Sequence, residues 1–200
     1  MKGELYIVTA PSGAGKTTIC DAVLELEERL KYSVSATTRE PRRGEIDGRD
    51  YFFISREEFE KRRDRGELLE HAEVYGNYYG TPKEYIEKEL AEGNDIILDI
   101  DVQGALSVKN MGYPATYIYI LPPSLRELRK RLEGRGTDSP EVIRKRSEQA
   151  RRELDFLPEY DFCIVNDDLQ TAIEDMKAII RGERCRVDRH PGIVDAIAEG

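Results

Sequence analysis

Two hundred residues, 39% apolar and 36% charged, suffice for one generous domain with small insertions. Forty acidic residues against 31 basic ones leave a net charge of −9. That balance argues against a general nucleic-acid or membrane-surface binder, although a local basic cluster can still grip phosphate. No run approaches the roughly 18 apolar residues of a membrane span, and Met1 to Tyr6 opens like a strand, not a signal peptide. Three cysteines, Cys20, Cys163 and Cys185, are far apart and lack a CxxC pattern. Zinc sites and disulfide frameworks are therefore unexpected, and a reducing cytoplasm is the default. Few Asn and Gln beside abundant Glu, Lys and Arg follow the drift of heat-adapted proteins.

In chain order, Leu5 to Val8 reads as a buried strand that runs into the breakers Pro11, Ser12 and Gly13. Ile19, Ala22, Val23, Leu26 and Leu30 line one face of a helix. Tyr32 to Ser35 is a candidate short strand. The texture then changes: a charged loop from Arg39 to Gly48 leads to a strand at Tyr51 to Ile54. Ser55 with Glu58 forms a capping box for a helix to about Arg65. Leu68 to Tyr75 and Tyr78-Tyr79 flank a Gly76-Asn77 turn. Thr81-Pro82-Lys83-Glu84 reads as a helix start with Thr81 as cap, and that helix ends at Gly93.

Further on, Asp95 to Ile100 is a central buried strand, Val102 to Met111 a helix, and Ala115 to Leu121 another strand. Ser124 caps a helix to about Glu133, and Ser139-Pro140 starts one reaching about Asp155. A last strand, Phe162 to Val165, precedes a helix from Leu169 to Ile180 and a tail with a helical tip. Strands separated by helices imply parallel crossovers and an α/β three-layer core.

The segment Ala10-Pro11-Ser12-Gly13-Ala14-Gly15-Lys16-Thr17-Thr18, between strand and helix, has the context a phosphate-binding P-loop demands. Ala10 stands where the full motif has its first Gly. Gly13 and Gly15 let backbone N–H groups turn inward, Lys16 can reach the β- and γ-phosphates, and Thr17 can offer a hydroxyl to Mg2+. Asp99, at the end of an apolar strand, suits a Mg2+ role held directly or through water, or else a simple helix cap. The guanidinium pair Arg39 and Arg42 beside Tyr51 suits a phosphate clamp, against the reading of a solvated charged loop. The segment from Arg126 to Arg152 holds ten basic and five acidic residues. Arg135 stands between two glycines, while Arg126, Lys130, Arg151 and Arg152 read as an ion-paired surface. His71, Cys20 and Cys163 read as structural, and Tyr75 and Tyr78 suit core packing.

From about Leu5 to about Ile180 the chain closely resembles guanylate kinases. The resemblance rests on the run Ser35 through Tyr51, with its Thr37-Thr38-Arg39 core, on Glu70, on Tyr75 to Thr81, and on Asp99-Ile100-Asp101-Val102-Gln103-Gly104. It implies a P-loop NTPase three-layer core with a five-stranded parallel sheet, an inserted α+β GMP-binding subdomain at 35–83, and a lid at 126–148. The core comprises 1–34, 84–125 and 149–200. It implies the reaction Mg·ATP + GMP giving ADP + GDP, with ATP as co-substrate, in the cytoplasm. Neither nucleic acid nor membrane is an expected partner, and dGMP use and oligomeric state stay open.

By the same resemblance, Arg39, Arg42, Tyr51 and Tyr79 hold the GMP phosphate. Ser35, Glu70, Thr81 and Asp101 read guanine, with Thr81 where many relatives have Ser. On the donor side stand Ser12 to Thr18, Arg131, Arg135, Arg146 and Asn166, the last in a turn that is either adenine-contacting or purely structural. Lys16, Arg39, Arg42, Arg135 and Arg146 form the catalytic set, with Thr17 and Asp99 toward the metal. Two rival readings are a peptide-binding module of guanylate-kinase-like fold and a kinase for another small molecule such as a ribose phosphate. The joint presence of Lys16, Thr17 and Asp99 argues against the first, and that of Glu70, Tyr79, Thr81 and Asp101 against the second.

Overall fold

The computed structural model describes residues 2–74, 76–134 and 139–198. Strand β1 (Leu5–Thr9) is buried along its whole length, and its pleat divides the core. Tyr6 and Val8 face one layer, and Leu5 and Ile7 the other. The chain continues through α1 (Lys16–Leu26), β2 (Leu30–Tyr32), β3 (Ala36–Thr37), β4 (Phe52–Phe53), α2 (Arg56–Asp64), β5 (Leu68–Val74), β6 (Asn77–Pro82) and α3 (Lys83–Ala91). It then runs through β7 (Asp95–Asp99), α4 (Val102–Asn110), β8 (Thr116–Leu121), α5 (Leu125–Gly134), α6 (Pro140–Glu153), β9 (Phe162–Val165), α7 (Leu169–Arg184) and α8 (Ile193–Ala198).

The main sheet has five strands, ordered β2-β7-β1-β8-β9, all parallel. On one face Ile19 and Val23 of α1 pack with Ile173, Met176 and Ile180 of α7. On the other, Ile86 and Leu90 of α3 pack with Ala105 and Val108 of α4. Such a sheet exposes its ligand crevice at the carboxyl ends of its strands, and β1 and β7 end at Thr9 and Asp99. A second sheet, β4-β3-β6-β5, is drawn entirely from residues 36–82. Its small core is Ala36, Phe59 and Leu68, with Tyr78 stacked on Phe59 at 5.2 Å between ring centroids.

Several expectations shift. Thr81 does not cap a helix. Gly80, beside it, pairs with both Ala36 and His71, so β6 continues and the cap passes to Pro82 in an extended conformation. The second strand ends at Tyr32 because the chain there changes sheets: Ser33 N–H still donates to Ile97, whereas Ser35 C=O already accepts from Phe52. As expected, the strand at Asp95–Asp99 is interior and buried, with β2 on one side and β1 on the other. Helix α6 stops at Glu153 and continues as a 3-10 segment over Leu154–Glu159. Helix α7 passes the expected end at Ile180 to reach Arg184. There Nε donates to Asp95 Oδ2 at 2.7 Å and Nη1 to Glu27 Oε2 at 2.9 Å, tying the helix to the sheet. Cys163 is exposed, whereas Cys20 is buried. His71 is exposed on β5, and Tyr75 lies outside the described residues.

Candidate active site

The P-loop joins β1 to α1. Gly13 and Gly15 take φ of +96° and +97°, a region closed to most L-residues, which turns the intervening amides toward one concavity. Gly15 is the N-cap of α1 and has no side chain to occupy the first amides, so the helix start is available to an anion. Residues Ala10 to Gly13 and Gly15 to Thr18 line a hollow of about 300 Å³ there. A larger hollow of about 680 Å³ lies among Lys2 to Leu5, Tyr113 and Arg189 and contains none of the motif residues.

Lys16 Nζ is ion-paired with Asp99 Oδ1 at the end of β7. The other oxygen, Oδ2, accepts from the Tyr32 hydroxyl at 2.9 Å. Burial and the Asp99 charge hold that phenol far above its usual range. Nothing in the motifs singled out Tyr32; the signal is its register, opposite Ile97 and so on the same face as Asp99 two residues on. Among the described residues no group of three or more His, Cys, Asp or Glu could hold a metal. Thr17, exposed, and Asp99 are thus a sparse oxygen set. Such a set fits Mg2+, which keeps water and substrate phosphates and takes one or two protein ligands.

Beside Asp99 opens a second cleft of about 220 Å³, lined by Ser35, Tyr51, Glu70, Tyr79, Asp99 and Asp101, with Ala72, Gly80 and Ile100. Glu70 sits where the β5–β6 register slips between Leu68 and His71. Such an irregularity re-aims a side chain. Thr81 Oγ1, fully buried, donates to Glu70 Oε1 at 2.7 Å. Burial raises the Glu70 carboxyl above its ordinary range, the Thr81 bond opposes this, and the Asp101 charge adds to it. Asp101 caps α4, accepting from Gly104 N–H at 2.8 Å.

At the cleft's other side Arg39 lies 5.5 Å from the Tyr51 ring centroid and 5.8 Å from that of Phe53. Its guanidinium forks onto Glu45 at 2.9 and 3.0 Å. These contacts hold Arg39 firmly protonated. Glu45 also accepts from Arg42 N–H at 2.6 Å, so one carboxylate holds the Arg39 guanidinium and the Arg42 backbone, while the Arg42 side chain is exposed. Glu45 falls within the run that carries the resemblance, but the sequence assigns it no role; its spacing from Arg39 and Arg42 is the available signal.

On the donor side Arg146 Nη1 donates to Ser12 Oγ of the P-loop at 3.0 Å. Arg131 Nη2 donates to Asn166 C=O at 3.0 Å, and Asn166 Nδ2 donates to Ala14 C=O at 2.7 Å. Arg135 lies outside the described residues. The structure therefore brings together Lys16, Asp99, Glu70, Thr81, Asp101, Arg39, Tyr51 and Tyr79 around two adjoining hollows, with Arg131, Arg146 and Asn166 against the P-loop.

The guanylate kinase family model matches residues 2–183 of this sequence. The chain belongs to the guanylate kinase family. Guanylate kinases phosphorylate GMP from ATP, usually with Mg2+. A guanylate kinase of Caldanaerobacter subterraneus is 50% identical over 198 residues, 99% of this chain and 96% of the relative. One from Desulfitobacterium hafniense is 48% identical over 195 residues, 98% of each chain. The crystal structure of guanylate kinase from Anaplasma phagocytophilum superposes with a TM-score of 0.73 at 34% identity, over 98% of this chain and 94% of that one. No helix among the described residues is long and apolar enough to cross a membrane.

Proposed function

We propose that this chain transfers the γ-phosphoryl group of Mg·ATP to GMP in the cytoplasm, with the P-loop hollow as donor site and the Glu70 cleft as acceptor site. One observation carries the assignment of the two hollows: Asp99 lines the acceptor cleft and is ion-paired with Lys16 of the P-loop, so the two sites adjoin at the point where phosphoryl transfer requires them to. Residues 35–83 act as the GMP-binding subdomain and 126–148 as the lid over a core of 1–34, 84–125 and 149–200. Three free thiols agree with a reducing compartment.

Guanine presents N1–H and a 2-amino group, two donors that match an acceptor-only carboxylate. Thr81 uses one lone-pair site of Glu70, leaving acceptor capacity for both. Adenine lacks the N1–H, and a site built on such bonds can reject the wrong partner by about 10⁴-fold. Ser35 and Asp101 complete the base pocket. Arg39, Arg42, Tyr51 and Tyr79 hold the GMP phosphate.

That phosphate has a second pKa near 6 and is mostly a dianion at neutral pH, so its oxygen attacks the γ-phosphorus without a general base. The bond from the γ-phosphorus to the β–γ bridging oxygen breaks, and ADP leaves with the electron pair. Lys16 exchanges Asp99 for phosphate oxygens when the triphosphate enters. Arg135 and Arg146 add fixed positive charge where it develops, and Arg cannot lose its proton there. Mg2+, when bound, neutralises phosphate charge, with Thr17 and Asp99 as the residues that would hold it. Closure of lid and subdomain excludes water and limits ATP hydrolysis.

The deciding experiment is an ADP-release assay with Mg·ATP and GMP, dGMP, AMP, CMP, UMP or ribose 1,5-bisphosphate. Strong turnover with GMP is expected. Silence with every nucleotide despite GMP binding would indicate a binding module, and activity on the sugar phosphate alone would overturn the acceptor assignment.

A further inference from the structure

We propose that Asn166 is a positioning residue: its side-chain amide holds the P-loop in phosphate-binding shape, and Arg131 anchors it to α5. The inference rests on the reading of the P-loop as the donor site.

Asn166 follows β9 and is only 6% exposed. Its backbone N–H donates to Leu121 C=O at 2.7 Å, continuing the β8–β9 ladder by one step and fixing the residue to the sheet. Its Nδ2 then donates to Ala14 C=O at 2.7 Å. Ala14 lies between the two left-handed glycines, so this one bond sets the peptide on which the turn of the loop depends. The approach is close: a Cβ built on Gly15 would sit 2.2 Å from Asn166 Nδ2. A side chain at position 15 would displace the Asn166 amide, in addition to the strain that its φ imposes.

The same asparagine accepts at its own C=O from Arg131 Nη2 at 3.0 Å, and Arg131 is held by Glu127 on the same helix at 3.6 Å. Leu128 and Leu132 of α5, both fully buried, lie 3.1 to 3.3 Å from where a Gly13 Cβ would be. Helix α5 therefore bears on the P-loop at two points, through leucines at Gly13 and through Arg131 and Asn166 at Ala14. Through that Nδ2–H bond to Ala14 C=O, Asn166 acts on the triphosphate chain by way of the loop backbone. Its loss should weaken every nucleoside triphosphate alike, because a displaced loop misplaces phosphates common to all of them.

The test compares wild type with Asn166→Ala and Asn166→Asp, using ATP and ITP as donors to GMP. ITP has the same phosphates but a 6-oxo group in place of the 6-amino group. Both variants should lose about 10- to 100-fold in kcat/KM for ATP and ITP alike, with KM for GMP unchanged. A loss confined to ATP would mean that the side chain reads adenine and would overturn the proposal; so would unchanged kcat/KM for both donors. Wild-type protein provides a measurement independent of whether the variants fold. The Asn166 side-chain amide should show an NMR cross-relaxation peak to Gly15 Hα that persists when Mg·AMP-PNP is added. Disappearance of that peak on nucleotide binding would equally overturn the strut. Lack of wild-type turnover on GMP would instead count against the proposed function, leaving the amide peak to decide the strut.

Discussion

Thr81 on β6 donates its hydroxyl to Glu70 on β5 across 2.7 Å, from a fully buried position to a carboxylate at the wall of the cleft beside Asp99. The bond fixes which way the carboxylate faces. It is possible because the β5–β6 register slips beside Glu70.

Burial raises the Glu70 carboxyl, so it is protonated over a wider acidic range than an ordinary glutamate. Only the ionised form is a pure acceptor for guanine. The kcat/KM for GMP should therefore fall on acidification from just above the ordinary carboxylate range, in addition to the fall due to protonation of the GMP phosphate. Glu70→Gln should remove the Glu70 part of the pH dependence and erode the preference for GMP over AMP. Parallel pH profiles for the two proteins would show that guanine is read elsewhere. For stability the sign is the converse: a carboxyl raised in the folded state favours folding most below its unfolded pKa and loses that contribution as pH rises through the folded value.

Lys16→Ala should lower kcat by about 10²- to 10³-fold or more, as removal of a fixed charge-stabilising donor does, with the fold intact. Lys16 is a part-exposed side chain paired with Asp99, so circular dichroism should match wild type. Near-normal turnover would overturn the P-loop assignment.

Tyr32→Phe keeps the ring and removes only the hydroxyl that holds Asp99 Oδ2. Outer partners of ligating groups typically contribute 10- to 100-fold, so a fall in kcat of about tenfold is expected, with KM for GMP unaltered. A kcat equal to wild type would show that the bond does not orient Asp99 for catalysis.

Phe59 is fully buried in the small core beneath β6, stacked on Tyr78. Phe59→Ala should cost about 3–5 kcal/mol within that subdomain. Because β6 carries Tyr79 and Thr81, KM for GMP should rise while KM for ATP changes little. Equal effects on both substrates would show that the two sheets respond as one.

Many of the ion pairs are i,i+4 contacts on helix surfaces, such as Lys61–Glu57, Arg62–Glu58 and Arg144–Glu148. Isolated pairs of this kind contribute little at 25 °C and more at high temperature. With the scarcity of Asn and Gln, they predict a melting midpoint above the roughly 45–65 °C of mesophile domains. A midpoint within that range would remove the reading of heat adaptation.

The sequence by itself determined what is local. Gly13, Gly15 and Lys16 announce a phosphate loop because a left-handed turn and a lysine at a helix start are written in consecutive residues. Alternation of short apolar runs with amphipathic segments announces a parallel α/β sheet because each crossover needs a helix. Helix starts at Ser55 and Ser139 were legible for the same reason: the caps contact backbone only three residues away. Tertiary structure decided what depends on partners distant in the chain. Thr81 looks like a cap until Gly80 is seen to pair on both sides and Glu70 to take its hydroxyl. Tyr32 gains a role only when β2 lies beside β7. Asn166 looks like a turn residue until Ala14, 152 positions away, is found within hydrogen-bond reach. Local propensity cannot encode such contacts, because their energy exists only once the sheet has brought the strand ends together.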